Sequence, residues 1–428
     1  MSEAPVPPSH EPERHASWPE LFFDLVAVAG VGIVAQQLEQ DQSWQHVGVL
    51  AVTFAAFWIL WASVTTYGNL RADNTSLVVL FAGMAVLGTM AAAVPGIYDD
   101  HARVFAIAFV VGRLIVARPW SRASVVVDMP IVQASIGVIP WIVSIWIEGD
   151  ARYVWWAVGI VLDLWVLATE SGEKRVAQAQ ERLNNSLAMR KRRLERAPQN
   201  QGSSRRAVRR AEALESGRYR GREIPTTITA LTGDEAHRAE RMGLFVLIVL
   251  GEGIVQLTVA AAAAEHWDRA LLISTLGAFA LVCELFVVSV LRGTAGIALL
   301  PGSAIPPRAM WLGHLVVAMS LVTLMAALGK LLEEPGEPAS VHTAWMLAIG
   351  IGAYGLLSGL AHLFNGTARR WGPALAIGAP LLVAGAVVLG AHESVRAGAV
   401  GWILAAAVGV AAGLGVRLLD GGGLRRGT

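Results

Sequence analysis

Seven ionisable side chains stand within otherwise apolar runs of this chain: Asp24, Arg113, Asp128, Asp163, Glu252, Glu284 and His314. In a bilayer such a group costs about 2.5–3.5 kcal/mol on insertion scales, so each needs a partner, water or a task. The task open to a carboxylate or imidazole at that depth is to carry a proton or cation along a pathway. Glu252 lies between Gly251 and Gly253, which would let a neighbouring backbone or ligand come close. Arg113 calls for a carboxylate partner, and Asp24, Asp128 and Asp163 are the candidates. Ion carriage and plain helix-to-helix pairing both stay open for these residues. Gln36, Gln37 and Gln256 add polarity that could equally bond across helices. No His-Glu-x-x-His, Gly-x-Ser-x-Gly, phosphate-loop or Cys/His ligand pattern occurs, so neither enzyme chemistry nor a cofactor nor a metal site is expected.

The elements that hold these residues are set by composition. Of the 428 residues, 54% are hydrophobic and 16% charged, whereas soluble domains carry about 25% charge. A spanning helix takes about 20 mostly apolar residues. The expected spans are Trp18–Leu38, Trp44–Tyr67, Ser76–Pro95, Ala102–Ala117, Val125–Ile147, Arg152–Thr169, Arg241–Ala264, Arg269–Leu291, Arg308–Leu332, Val341–Phe364, Gly372–Ala391 and Ala397–Leu419. The fourth is short and holds Arg113. These lengths suit helices, since barrel strands need only about 9–11 residues. The expected fold is therefore all-α, a polytopic membrane helix bundle of about 12 transmembrane helices. Residues 1–17 are Pro-rich and lack a basic start followed by an apolar run, so they read as a tail and not a removable signal peptide. The single cysteine, Cys283, falls inside a span, which excludes a disulfide framework. Trp18, Trp44, Trp155, Trp156, Trp267 and Trp311, near span ends, are expected at the interfaces.

Loop charges give an orientation. Arg14, Arg71, Arg118, Arg122, Arg292, Arg308, Arg369, Arg370, Arg425 and Arg426 lie in the tails and alternate connections, while the other connections are short and acidic. Lys/Arg-rich loops face the cytoplasm, which puts both termini inside a cell-membrane protein. Asp24, Asp128 and His314 then follow cytoplasmic entry, and Arg113, Asp163 and Glu284 precede cytoplasmic exit, so six of the seven share one depth. Glu252, about 16 Å beyond Arg241 at 1.5 Å per residue, lies near the midplane.

Residues 170–240 divide the chain into membrane halves at 18–169 and 241–419, with a short tail at 420–428. Between Glu170 and Pro225 this linker has fifteen Lys and Arg against seven Glu. Val176, Leu183, Leu187 and Leu194 fall near helical spacing, so an amphipathic helix is expected there. The linker reads as a solvated positive-inside segment or as a surface for anionic lipid head groups. Nucleic acid is not an expected partner, because no folded module or aromatic platform accompanies the charge. Gly30–Val34 matches Gly251–Val255, Trp44 matches Trp267, and Thr53–Phe57 matches Thr275–Phe279, all at an offset of about 222 residues. The matches suggest a duplication, six plus six, as a parallel repeat about an axis along the membrane normal.

Pro19-Glu-Leu-Phe-Phe-Asp-Leu-Val26 resembles the opening signature of the bacterial low temperature requirement A (LtrA) family. Tyr67-Gly-Asn69 with Arg71 and Asp73 is similar to that family's aromatic–Asn–basic–Asp segment, although Asn74 replaces a frequent second acid. Glu240-Arg-Met-Gly-Leu through Leu250-Gly-Glu252 resembles its signature on the seventh span. The resemblance implies a polytopic membrane protein and supplies no substrate, but it points again to Asp24 and Glu252. Phe23-Asp24 also resembles part of the Phe-Ser-Asp helix of a class of six-plus-six potassium channels. Three functions are therefore carried forward. The first is a secondary transporter or ion-coupled permease for an ion or small solute, with Asp24 and Glu252 facing a pathway between the halves. The others are a channel and a non-transporting lipid-binding or regulatory protein.

The loop charges make one direct prediction. In a Cys283→Ala background, a cysteine introduced at Ser203 should react with a membrane-impermeant maleimide only after the membrane is opened. Labelling of intact cells from outside would reverse the orientation.

Overall fold

The computed structural model describes residues 15–420 apart from 121–124, 128, 134–135, 171, 196–217, 220–221, 224–226, 265, 302–304 and 365–370. Long apolar runs free of internal breakers become helices, because in hydrocarbon every backbone N–H and C=O must be satisfied within the segment. The first half comprises α1 (Trp18–Gln40), α2 (Trp44–Arg71), α3 (Leu77–Ala93), α4 (His101–Ala117), strand β1 (Val125–Val127), α5 (Pro130–Gln133), α6 (Val138–Ser144) and α7 (Ala151–Thr169). The linker contributes α8 (Gly172–Glu195), β2 (Arg218–Tyr219), β3 (Arg222–Glu223) and β4 (Thr229–Leu231). The second half comprises α9 (Glu235–Ala263), α10 (Arg269–Phe286, prolonged by a π turn at Val287–Leu291), α11 (Pro307–Glu333), α12 (Val341–Phe364), α13 (Trp371–Gly390) and α14 (Ala397–Asp420). The protein is an all-α polytopic bundle.

Among the described residues ten helices, not twelve, are long and apolar enough to cross a membrane. The two shortfalls have separate causes. The fourth expected span is a helix of 17 residues, α4, tightened at its end into a 3-10 turn at Arg118–Trp120. The fifth, expected over Val125–Ile147, is broken. Its β-branched opening, Val125–Val127, forms a strand paired in parallel with β4 (Val125 opposite Thr229, Val127 opposite Leu231). Helix follows only from Pro130, whose missing N–H is harmless in a first turn, and ends at Ser144. The linker packs against this break: α8 touches β1 and β4, and Arg175 reaches Val127 O at 3.4 Å and Gln133 Oε1 at 3.3 Å. Burial there pulls the Arg175 pKa down, opposed by the nearby Glu170 charge.

Helix neighbours follow one order in both halves. α1 packs on α2 and α3, α3 on α4, α4 on α6, α6 on α7, and α7 returns to α2. In the same positions α9 packs on α10 and α11, α11 on α12, α12 on α13, α13 on α14, and α14 returns to α10. Between the halves, α1 lies against α9 and α11, α2 against α9 and α11, and α7 against α11. α2 and α11 are the most enclosed spans, each with 78% of its apolar window buried. Two tryptophans expected at the interface are inside instead. Trp156 stacks on Trp141 with centroids 4.8 Å apart and donates to Ser144 Oγ at 2.9 Å. Trp311 packs edge-on against Trp58 and Trp61. Trp18 and Trp267 are 86% and 79% exposed, as an interfacial anchor should be.

Close approach of α12 and α13 rests on glycine. A Cβ placed on Gly359 would meet Ala374 O at 2.8 Å and Gly378 Cα at 3.3 Å, both backbone atoms that cannot swing aside. Gly359→Leu should therefore destabilise the detergent-solubilised protein by about 1–3 kcal/mol, the usual cost of overpacking. Gly413→Ala, where a Cβ meets nothing within 4 Å, should leave the melting temperature unchanged or raise it.

Candidate functional site

Helices α1, α2 and α9 carry a buried ionic cluster at the linker end of the bundle. Ser17 N and Oγ donate to Glu20 Oε2 at 2.9 and 2.8 Å, closing the start of α1. One turn on, Asp24 is fully buried, and Arg241 of α9 grips it in bidentate fashion: Nε to Oδ2 at 2.8 Å and Nη2 to Oδ1 at 2.6 Å. The indole N–H of Trp61 on α2 donates to the same Oδ1 at 2.7 Å. Arg241 Nη1 lies 3.2 Å from Glu20 Oε1, and His237 Nε2 lies 3.4 Å from that oxygen. Phe245 packs on Trp61 at 4.4 Å and closes the cluster toward the bilayer centre.

Asn69 ties the second segment into the same place. Its Nδ2 donates to Asp234 O at 2.9 Å and its Oδ1 accepts from Asp234 N at 3.1 Å. Asp234 is the N-cap of α9, accepting from Ala236 N and His237 N, so Asn69 holds the start of the helix that delivers Arg241. Tyr67 accepts from Ser76 N at 3.2 Å through its hydroxyl and fixes the turn into α3. Arg71 is exposed, and the backbone of Asp73 lies in the 3-10 turn that follows.

The remaining candidates separate. Arg113 pairs within the first half with Asp163 (Nη2 to Oδ2, 3.3 Å), not with Asp24, and it also donates to Ile131 O at 2.8 Å. Ile131 lies in α5, just after the strand that replaces the opening of the fifth segment, so the guanidinium ties α4 to the backbone there. His314 accepts from Trp58 Nε1 at 2.8 Å through Nδ1. An indole N–H only donates, which leaves Nε2 to carry the proton toward Met242 O, 3.1 Å away. The imidazole is thus neutral with both nitrogens engaged, a tie between α2, α9 and α11. Glu284 lies apart on α10, against Gly409 of α14. Asp128 is outside the described residues.

Glu252, by contrast, lines a cavity. A crevice of about 730 Å³ lies between α1, α9 and the end of α11, bordered by Gly32, Gln36, Glu39, Glu252, Gln256 and Glu333 among others. The Glu252 carboxylate rests on Gly32, where a Cβ would come within 2.6 Å of it. Glu39 and Glu333 stand at the end away from the Asp24 cluster, and Lys330 pairs with Glu333 at 2.6 Å. The six described candidates therefore occupy several places: a sealed ionic layer, two structural ties within the packed bundle, the α10–α14 face and an open crevice. Among the described residues no group of three or more His, Cys, Asp or Glu is placed to hold a metal ion.

Arg241, the centre of the cluster, was not among the expected site residues. Taking the seventh span to begin at Arg241 set it at the membrane edge, whereas α9 begins at Glu235. The detectable signal was the capping residue Asp234 ahead of a helix-forming run, which moves Arg241 almost two turns inward.

Removing one member of a buried ion pair commonly costs about 3–5 kcal/mol, because the other is stranded. Arg241→Leu alone should destabilise by that much in detergent unfolding. Adding Asp24→Leu should recover a large part of the loss, whereas additive losses would show that the two carboxylates do not depend on Arg241.

Comparison with known proteins fits this geometry. No curated protein and no solved structure matches the chain. The family model described as bacterial low temperature requirement A protein (LtrA) matches residues 15–412, a span that includes the three segments meeting at the Asp24–Arg241 cluster. The chain belongs to the bacterial low temperature requirement A family.

Proposed function

We propose that this membrane protein is a secondary transporter or ion-coupled permease, with its pathway between α1 and α9. The observation that carries the reading is the crevice that runs from the far end of the bundle down to Glu252 and stops above the Asp24–Arg241 layer. With both termini in the cytoplasm of a cell-membrane protein, the crevice opens outward and the ionic layer is the inner closure. Alternating access would then part α9 from α1 and α2 at Arg241–Asp24, Arg241–Glu20 and Asn69–Asp234, opening the inner side. Asp24 serves the closure, and Glu252 is the coupling or substrate carboxylate.

A duplication of six plus six helices supports this reading, since alternating access in many transporters moves one repeat against the other. The support is the shared order of helix neighbours in the halves together with the matches near an offset of 222 residues. Twelve crossings follow if α4 and the broken fifth segment each traverse the bilayer. The basic linker, with α8 as its helical part, is proposed to lie along anionic lipid head groups. We assign no enzymatic activity.

Proteoliposome flux for protons, potassium, sodium and small organic solutes tests the proposal. A solute should show saturable uptake that falls to background in Glu252→Gln at every pH tried, with the melting temperature unchanged. Full activity in Glu252→Gln would remove Glu252 from the mechanism, and a non-saturating conductance would replace the transporter with a channel.

A further inference from the structure

The crevice has chemistry specific enough to name a class of occupant, an inference that rests on reading it as a solute site. Gln256, one turn beyond Glu252 on α9, is only 7% exposed, and neither its Oε1 nor its Nε2 has a hydrogen-bond partner. Its amide lies beside the Glu252 carboxylate, and both line the crevice. Buried amide groups are almost always satisfied, so an orphaned one at a cavity wall marks a missing partner. Glu252 and Glu39 form no salt bridge with any described residue, and Lys330 is taken up by Glu333. The floor thus offers a carboxyl group and an amide oxygen as acceptors, with the carboxyl groups of Glu39 and Glu333 toward the mouth.

Three features narrow the ligand. The volume of about 730 Å³ lies within the roughly 300–1,000 Å³ of small-molecule pockets and far exceeds what a dehydrated metal ion fills. The wall is aliphatic, formed by residues such as Ala29, Ile33, Val255, Val259 and Ala260, so it can cover a hydrocarbon body. Among the described residues no aromatic ring lines it, so they build no aromatic cage of the kind that recognises quaternary ammonium groups. We propose that the Glu252–Gln256 crevice binds a small aliphatic organic cation through N–H donors, a primary alkylammonium being the simplest member of the class. The ammonium donates to Glu252 and to Gln256 Oε1, while its alkyl body lies against the Ala and Val wall.

Binding to the purified full-length protein in lipid nanodiscs tests this, with n-butylammonium as the probe and 1-butanol, tetramethylammonium and potassium beside it. n-Butylammonium should bind saturably, and Glu252→Gln and Gln256→Leu should each weaken it by about tenfold or more. Ala260→Phe, which fills the crevice without touching the polar floor, should do the same, and covers the case in which a floor variant fails to fold. Tetramethylammonium, lacking N–H groups, should bind more weakly, and 1-butanol not at all. Equal binding of 1-butanol or potassium, or unchanged n-butylammonium binding in Glu252→Gln, overturns the assignment. Saturable uptake of another solute without n-butylammonium binding overturns the ligand class but leaves the transporter standing. n-Butylammonium binding without uptake of any solute sustains the ligand class and overturns transport.

Discussion

The bidentate contact between Arg241 and Asp24 is the constraint on which the arrangement of the two halves depends. Both side chains are essentially excluded from solvent. A lone charge at that depth would be expensive, so α1 and α9 must meet there, in one register, for either to be buried. The remaining links at this end follow from that contact. Trp61 brings α2 to the same carboxylate, Glu20 and His237 fill the outer side, and Asn69 holds the first turn of α9. Three segments far apart in sequence thereby converge on one layer of atoms. Such a layer is also bistable in principle, because its members are either mutually satisfied or stranded, with little in between.

A second ion pair solves a different problem. The fifth segment opens as a strand and not as helix, and backbone that a full-length helix would satisfy must find partners inside the protein. Arg113 supplies one to Ile131 O while Asp163 balances the charge. Gly137 allows this closeness, since a Cβ there would come within 2.5 Å of the Asp163 carboxyl carbon. The arginine that makes α4 look like a poor membrane span is thus the residue that makes the neighbouring break tolerable. His314 acts in the same spirit, as a neutral hydrogen-bonded tie whose two nitrogens are both engaged.

Beside these packed ties the crevice stands out as open space. The first helices of the halves are locked together at the Asp24 layer and leave a cavity toward the other end, where Gly32 and the alanines of α9 provide little bulk to fill the space. The same small residues that permit close packing at one depth leave room for a ligand at another. The buried amide of Gln256 has no hydrogen-bond partner there, and Glu252 borders the same space.

Much of this was legible in the sequence because hydrophobic length and charge placement act locally. Ten of the expected spans, the helix in the linker and the cost of each buried charge follow from composition and periodicity, and the family resemblance from the motifs at Pro19–Val26 and Glu240–Glu252. Partnership was not legible. Asp24, Asp128 and Asp163 are equivalent in depth, and nothing along the chain says which one Arg113 meets, because pairing depends on helix rotation and neighbour order. Trp156 and Trp311 sit near span ends exactly as anchors do, yet the bundle places them inside. The break at Val125–Ser144 was hidden because an apolar run reads alike as buried strand or helix until β4 arrives to pair with it. Sequence determined which groups had to be satisfied; the tertiary structure decided by whom, because a buried charge is paid for by contacts that only packing between distant segments can supply.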